Sequence, residues 1–132
     1  MNRIVARYAN GVMVKGVTAD FFPGRETFHV TVAAPGQDAG TVEVRMTDLK
    51  AVFFVRDYAG DPKHVRPKDF DASHRYAGRR VKVVFKDSEV YIGTTQGYQP
   101  GRQGFFVVPV DAAGNDERCY VLTAATQEVT LL

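Results

Sequence analysis

Gly16-Val17-Thr18, Phe21-Phe22-Pro23-Gly24-Arg25 and Phe28-His29-Val30 return, at a constant offset of 77, as Gly93-Thr94-Thr95, Tyr98-Gln99-Pro100-Gly101-Arg102 and Phe105-Phe106-Val107. Proline holds φ at about −65° and glycine supplies φ > 0, so each Pro-Gly reads as the central pair of a type II turn. The glycine upstream marks a bulge or a close approach of two backbones. The alternating apolar residues after each turn read as a strand with one buried face. Each copy is therefore strand, glycine kink, strand, Pro-Gly turn, strand.

The offset extends in both directions without a gap. Ile4, Ala6 and Tyr8 fall on Val81, Val83 and Phe85, and Asn10-Gly11 falls on Asp87-Ser88, both hairpin-turn pairs. Val42, Val44 and Met46 fall on Cys119, Val121 and Thr123, and Val52 with Phe54 on Val129 with Leu131. The sequence thus predicts a duplication of 4–55 in 81–132, with domain limits at 1–55 and 81–132 and a connector over 56–80.

Within the first copy, strands are expected at 3–9, 12–18, 28–32, 42–46 and 52–55, with a helical turn at 47–50 capped by Thr47. Five short strands with one 3₁₀ turn before the last is the plan of an SH3-like or Sm-like small barrel. The expected fold is all-β: two tandem five-stranded barrels, each too small to be robust alone. The connector holds seven Lys or Arg against four Asp, and its aromatics suggest a segment laid over the barrels, with a short helix near 68–75.

The copies differ in a directed way. On the strand faces assigned outward, the first carries Arg7, Lys15, His29, Thr31, Glu43 and Arg45, where the second carries Val84, Ile92, Phe106, Val108, Tyr120 and Leu122. All six positions change from polar to apolar. Large apolar patches rarely stay open on a soluble monomer and mark an interface. Covering ~400 Å² of one contributes on the order of 10 kcal/mol before entropic costs. The six residues are therefore expected to be covered by the connector, by the first copy, or by a protein partner or second chain.

Little points to catalysis. His29, His64 and His74 are scattered, with no nucleophile and orienting neighbour at a useful spacing. No Cys/His cluster has zinc-ligand spacing, and neither phosphate-binding glycine motif is present. The expectation is a protein that is not an enzyme and uses neither metal nor cofactor. The single Cys119, standing where the first copy has Val42, reads as a buried thiol in a reducing compartment. With no long apolar run and no signal peptide, the chain is expected in the cytoplasm, away from membranes. A net charge of +2 is too small to imply a nucleic-acid partner by itself. Phe22 with Arg25, and Tyr98 with Arg102, nevertheless pair an aromatic with an arginine at each turn. Such pairs suit single-stranded RNA, although aromatics that plug barrel ends and arginines that cap turns explain them more simply.

Two resemblances complete the reading. Asp20 to Arg25 (D-F-F-P-x-R), Leu49 to Asp57 (L-K-A-V-F-F-V-R-D) and Gly60-Asp61-Pro62 resemble segments of an uncharacterised bacterial family. That resemblance spans nearly the whole chain and implies a domain of unknown function, sometimes associated with signalling proteins. Arg75 and Arg79, with Asp71-Ala72-Ser73, resemble pieces of the PilZ signature for a cyclic dinucleotide, implying phosphate contacts. Their order is reversed, and Tyr76 stands where that signature needs Gly. The function expected overall is a non-enzymatic interaction or regulatory module using the apolar face of the second copy. The alternative is RNA binding through the Pro-Gly-Arg turns.

Overall fold

The computed structural model describes residues 2–33, 40–56, 70, 78–110 and 114–132. Ten strands run in order: β1 (Asn2–Tyr8), β2 (Met13–Thr18), β3 (Thr27–Val32), β4 (Thr41–Arg45), β5 (Leu49–Val55), β6 (Arg79–Phe85), β7 (Val90–Thr95), β8 (Gly104–Pro109), β9 (Asp116–Leu122) and β10 (Thr126–Leu131). Single 3₁₀ turns, Met46–Asp48 and Thr123–Ala125, precede β5 and β10. The first is flanked by Arg45 with no side-chain cap, so Thr47 lies inside it rather than capping it. The expected connector falls outside the described residues except at 56, 70 and 78–80, and the helix expected near 68–75 lies almost wholly there.

Local geometry repeats at the sequence offset. Tyr8 N–H donates to Val12 O at 2.8 Å and Gly11 N–H to Tyr8 O at 3.0 Å; Phe85 N–H donates to Glu89 O and Ser88 N–H to Phe85 O, both at 2.9 Å. These are three-residue hairpins closed by a left-handed residue, Gly11 in one and Ser88 (φ 74°) in the other. Met46 N–H to Glu26 O recurs as Thr123 N–H to Gln103 O, and Ala33 N–H to Lys15 O as Val110 N–H to Ile92 O. The kink glycines make the close approach expected of them. A Cβ on Gly16 would stand 2.1 Å from Thr31 O, and one on Gly93 would stand 2.2 Å from Val108 O. The Pro-Gly turns diverge: both close through the Arg N–H, yet only Gly24 (φ +90°) is left-handed, so only the first has the glycine conformation of a type II turn.

Instead of the two separate closed barrels expected from the sequence, the pairings describe one unclosed antiparallel sheet. Its order is β10-β6-β7-β8-β9-β5-β1-β2-β3-β4. Each half keeps the same internal order, and β5 joins them by pairing with both β1 and β9. That double pairing explains the apolar run in β5, where all seven residues are buried. Ala51, Phe53 and Val55 enter the core built mainly from β6–β9, whereas Val52 and Phe54 enter the core of the first half. β9 alternates the same way: Cys119 and Val121 face the second core, Tyr120 and Leu122 the first. Burial on both faces needs hydrophobes at successive positions, not at every second one.

One buried cation crosses the join. Lys50 is 4% exposed, and its Nζ donates to Asp87 Oδ2 at 2.6 Å and Glu89 Oε1 at 2.9 Å. It lies 4.6 Å from the centre of the Phe85 ring, and Arg7 reaches Glu89 at 3.5 Å. A buried ammonium is costly without such partners. The Lys50 hydrogen bond holds the Asp87 carboxyl below the usual carboxylate range.

Candidate functional site at the join between the halves

The first Pro-Gly turn reaches across to the second half. Its anchor is Phe21, whose ring meets Phe28, Tyr120 and Phe54 edge-on at centroid distances of 5.1, 5.2 and 5.4 Å. Gln103 then ties the turn down with one carboxamide. Its oxygen accepts from Gly24 N–H at 3.1 Å and Tyr120 hydroxyl at 3.0 Å, and its nitrogen donates to Arg25 O at 2.8 Å. Burial pushes the Tyr120 phenol above its ordinary pKa, so the hydroxyl stays a donor at neutral pH. Tyr98, at the position of Phe21, stacks edge-on against Phe105 at 4.7 Å and packs on the core of its own half.

Beside the tethered turn lies a hollow of about 470 Å³. Phe106, Val108 and Tyr120 line it from β8 and β9, Pro23 from the first half, and Gln96, Gln99 and Arg102 from the segment between β7 and β8. Arg118 also lines it, with its guanidinium 4.9 Å from the Phe106 ring centre and 4.2 Å from that of Phe54. A second hollow, about 550 Å³, is lined by Arg118 together with Asn2, Arg3, Phe54, Arg56 and Glu117. There Arg3 donates to the Arg56 carbonyl, and Arg56 donates to the Gly114 carbonyl. Arg102 Nε is held by Gln99 Oε1 at 2.8 Å. Among the described residues, neither Arg102 nor Arg118 forms an ion pair with a carboxylate. A guanidinium over aromatic rings, as that of Arg118 is, attracts anions and planar groups.

The six residues expected at an interface separate into two groups. Ile92, Tyr120 and Leu122 are 2–3% exposed, and the last two are sealed within the first half's core, with half-buried Phe106 packed against it. Much of that face is thus covered inside the chain, which leaves Val108 exposed and Val84 half-buried. Of the expected ligand contacts, Arg102 joins Phe106, Val108 and Tyr120 at the hollow. Phe22 and Arg25 form an exposed pair, the guanidinium 4.8 Å from the ring centre. Arg79 is exposed at the start of β6, and Arg75 lies outside the described residues. Sequence reasoning missed Arg118, Gln103 and Lys50. Their offset partners, Thr41, Glu26 and Gln127, share neither role, so the repeat carried no signal for them.

Within the first half, Asp20 grips His29 of β3. Oδ1 accepts the His29 backbone N–H at 2.8 Å, Oδ2 meets Nδ1 at 2.6 Å, and Glu43 stands 3.7 Å from Nε2. The His29 backbone bond, then its ring, lowers the Asp20 pKa, and the ring's bond to Asp20 raises that of His29. Among the described residues no three His, Cys, Asp or Glu side chains converge as a metal-binding group, and no helix is long and apolar enough to cross a membrane. No curated protein and no solved structure matches the chain. The whole chain, residues 1–132, matches a family of unknown function, DUF6982, and belongs to it.

Proposed function

We propose that the protein is a non-enzymatic binding module of regulatory type, assembled from two copies of one ancestral unit. Its recognition surface is what the first half leaves open of the second half's outer face. The observation that carries this reading is the hollow where exposed Val108, Phe106 and Tyr120 meet Arg102 and Arg118. Its size suits a small ligand or an inserted side chain, and a mostly apolar lining with a few polar groups is the usual make-up of a binding site. The buried, single cysteine fits a reducing compartment, and we place the module in the cytoplasm. Val108 is 53% exposed, so Val108→Asp should leave the melting temperature unchanged while a component captured from native extract is lost. Equal capture by both proteins would refute the reading.

The exposed Phe22–Arg25 pair favours a second reading, single-stranded RNA bound through the Pro-Gly-Arg turns. It requires salt-dependent oligonucleotide binding that weakens in the Arg25→Ala, Arg102→Ala double variant. No binding at low salt would remove it.

A further inference from the structure

We propose that the hollow beside the tethered turn binds a small organic acid, a carboxylate on an aromatic or branched aliphatic body. That carboxylate takes the place which Asp20 fills in the first half. The assignment rests on this hollow being the recognition surface. The offset of 77 sets Thr95, Gly97 and Phe106 on Thr18, Asp20 and His29. In the first half the Asp20 carboxylate sits beyond the last pairing of β2 with β3, at Val17 and Thr31. Its Oδ1 accepts the His29 backbone N–H at 2.8 Å and the Thr18 hydroxyl at 3.2 Å, and its Oδ2 meets the His29 ring. In the second half β7 and β8 part likewise after Thr94 and Val108, and Thr95, Gly97 and Phe106 line the hollow beyond. Gly97 has no side chain to put there, and the Thr95 hydroxyl bonds to the Gly97 carbonyl at 3.2 Å instead. A Cβ on Gly97 would meet nothing within 4 Å, so the space before it is open.

The other offset pairs say what the acid carries. His29, Thr31, Glu43 and Thr41 of the first half are matched by Phe106, Val108, Tyr120 and Arg118, all of which line the hollow. The first three give an apolar floor, since the Tyr120 hydroxyl is already engaged by Gln103. The described lining includes no Asp or Glu. Among the described residues the Arg118 guanidinium lies over two rings and meets no hydrogen-bond acceptor. Arg102 has Nε engaged by Gln99, so Arg118 is the lining guanidinium with its whole fork open, and such a fork matches one carboxylate through two parallel bonds. A phosphate would bring nearly a second charge against the apolar floor, at a cost in desolvation. An extended peptide usually adds to an edge strand, whereas β7, β8 and β9 are interior.

Calorimetric titration of the whole chain in low salt tests the assignment with naphthoate and isocaproate, each beside its neutral carboxamide. Saturable binding of at least one acid, about tenfold or more tighter than its carboxamide, is the expected result. Gly97→Asp supplies the first half's carboxylate from the chain itself, and Arg118→Met removes the charge while keeping an apolar stem over the rings. Each should abolish the preference for the acid. Gly97→Ala and Arg45→Met should keep it; the first controls for bulk and the second, on exposed β4, for general attraction. Gly97 lies outside the left-handed region and faces open space, so both of its variants should fold. No saturable binding of either acid, equal affinity for acid and carboxamide, or a preference that survives Gly97→Asp or Arg118→Met overturns the assignment. If the acids fail while Val108→Asp still abolishes capture from extract, the ligand class falls and the groove reading stands. If that variant also captures normally, both fall.

Discussion

Replacing Phe53 by Ala tests whether the two halves share their cores. Phe53 lies on β5 of the first half, yet its 4% exposed ring is packed in the second half's core, edge-on to Tyr91 at 5.9 Å. Removing a buried phenyl ring forfeits its transfer free energy and leaves a cavity, together about 3–5 kcal/mol. The stability of a domain this size is on the order of 5–15 kcal/mol, so the loss is a large share of the whole. The offset partner Thr130 sits on edge strand β10 and has no further half to enter. Thr130→Ala should therefore stay within about 0.5 kcal/mol. Urea unfolding followed by circular dichroism measures both, and amide exchange shows where protection is lost. With a shared core, Phe53→Ala lowers protection in β1–β2 and β6–β7 by the same amount, in one transition. Equal costs at Phe53 and Thr130, or weakening confined to β1–β5, would refute the reasoning.

The Lys50 cluster should appear in the acid limb of stability. The lowered pKa of Asp87 contributes stability that is complete well above the ordinary carboxylate value of about 3.9 and is lost as pH falls through it and the lower folded value. Lys50→Met should stay within about 1 kcal/mol of the parent at pH 7, because both carboxylates reach water, and should lose less below about pH 4; parallel acid limbs in denaturant titrations would contradict this. Gly93→Ala places a methyl group 2.2 Å from Val108 O, a backbone atom that cannot step aside as a side chain can. The cost should reach or exceed the usual ~1–3 kcal/mol of overpacking, and an unchanged melting temperature would disprove the close approach.

The exchange of polar for apolar residues between the halves gains its meaning from the β5–β9 pairing. Where the second half turns Phe106, Tyr120 and Leu122 toward the first, the first half has His29, Glu43 and Arg45 facing water. The reverse also holds. Val5, Ala51 and Phe53 enter the second core, while their partners Lys82, Glu128 and Thr130 lie on strands β6 and β10 away from the join. Charges on the outer strands discourage further edge-to-edge growth. Only one direction of this asymmetry was legible in the sequence, because Ala51 and Phe53 sit in a run that reads as an ordinary apolar strand.

The all-β class, the recurrence of similar segments at an offset of 77, the kink glycines, the hairpin turns and the buried thiol were all legible in the residues themselves. Alternation and the torsional limits of Pro and Gly act between near neighbours in the chain, and the recurrence is visible by comparing residues 77 apart. The tertiary structure alone decided that the halves join in one sheet through β5 and β9. It also placed Lys50 beside Asp87 and Glu89, and set Arg118 over Phe54 and Phe106 between two hollows. Those relations link residues far apart in the chain, and they depend on which strand edges pair. Alternation within one strand can reveal a buried face, but it cannot name the half of the molecule that covers it.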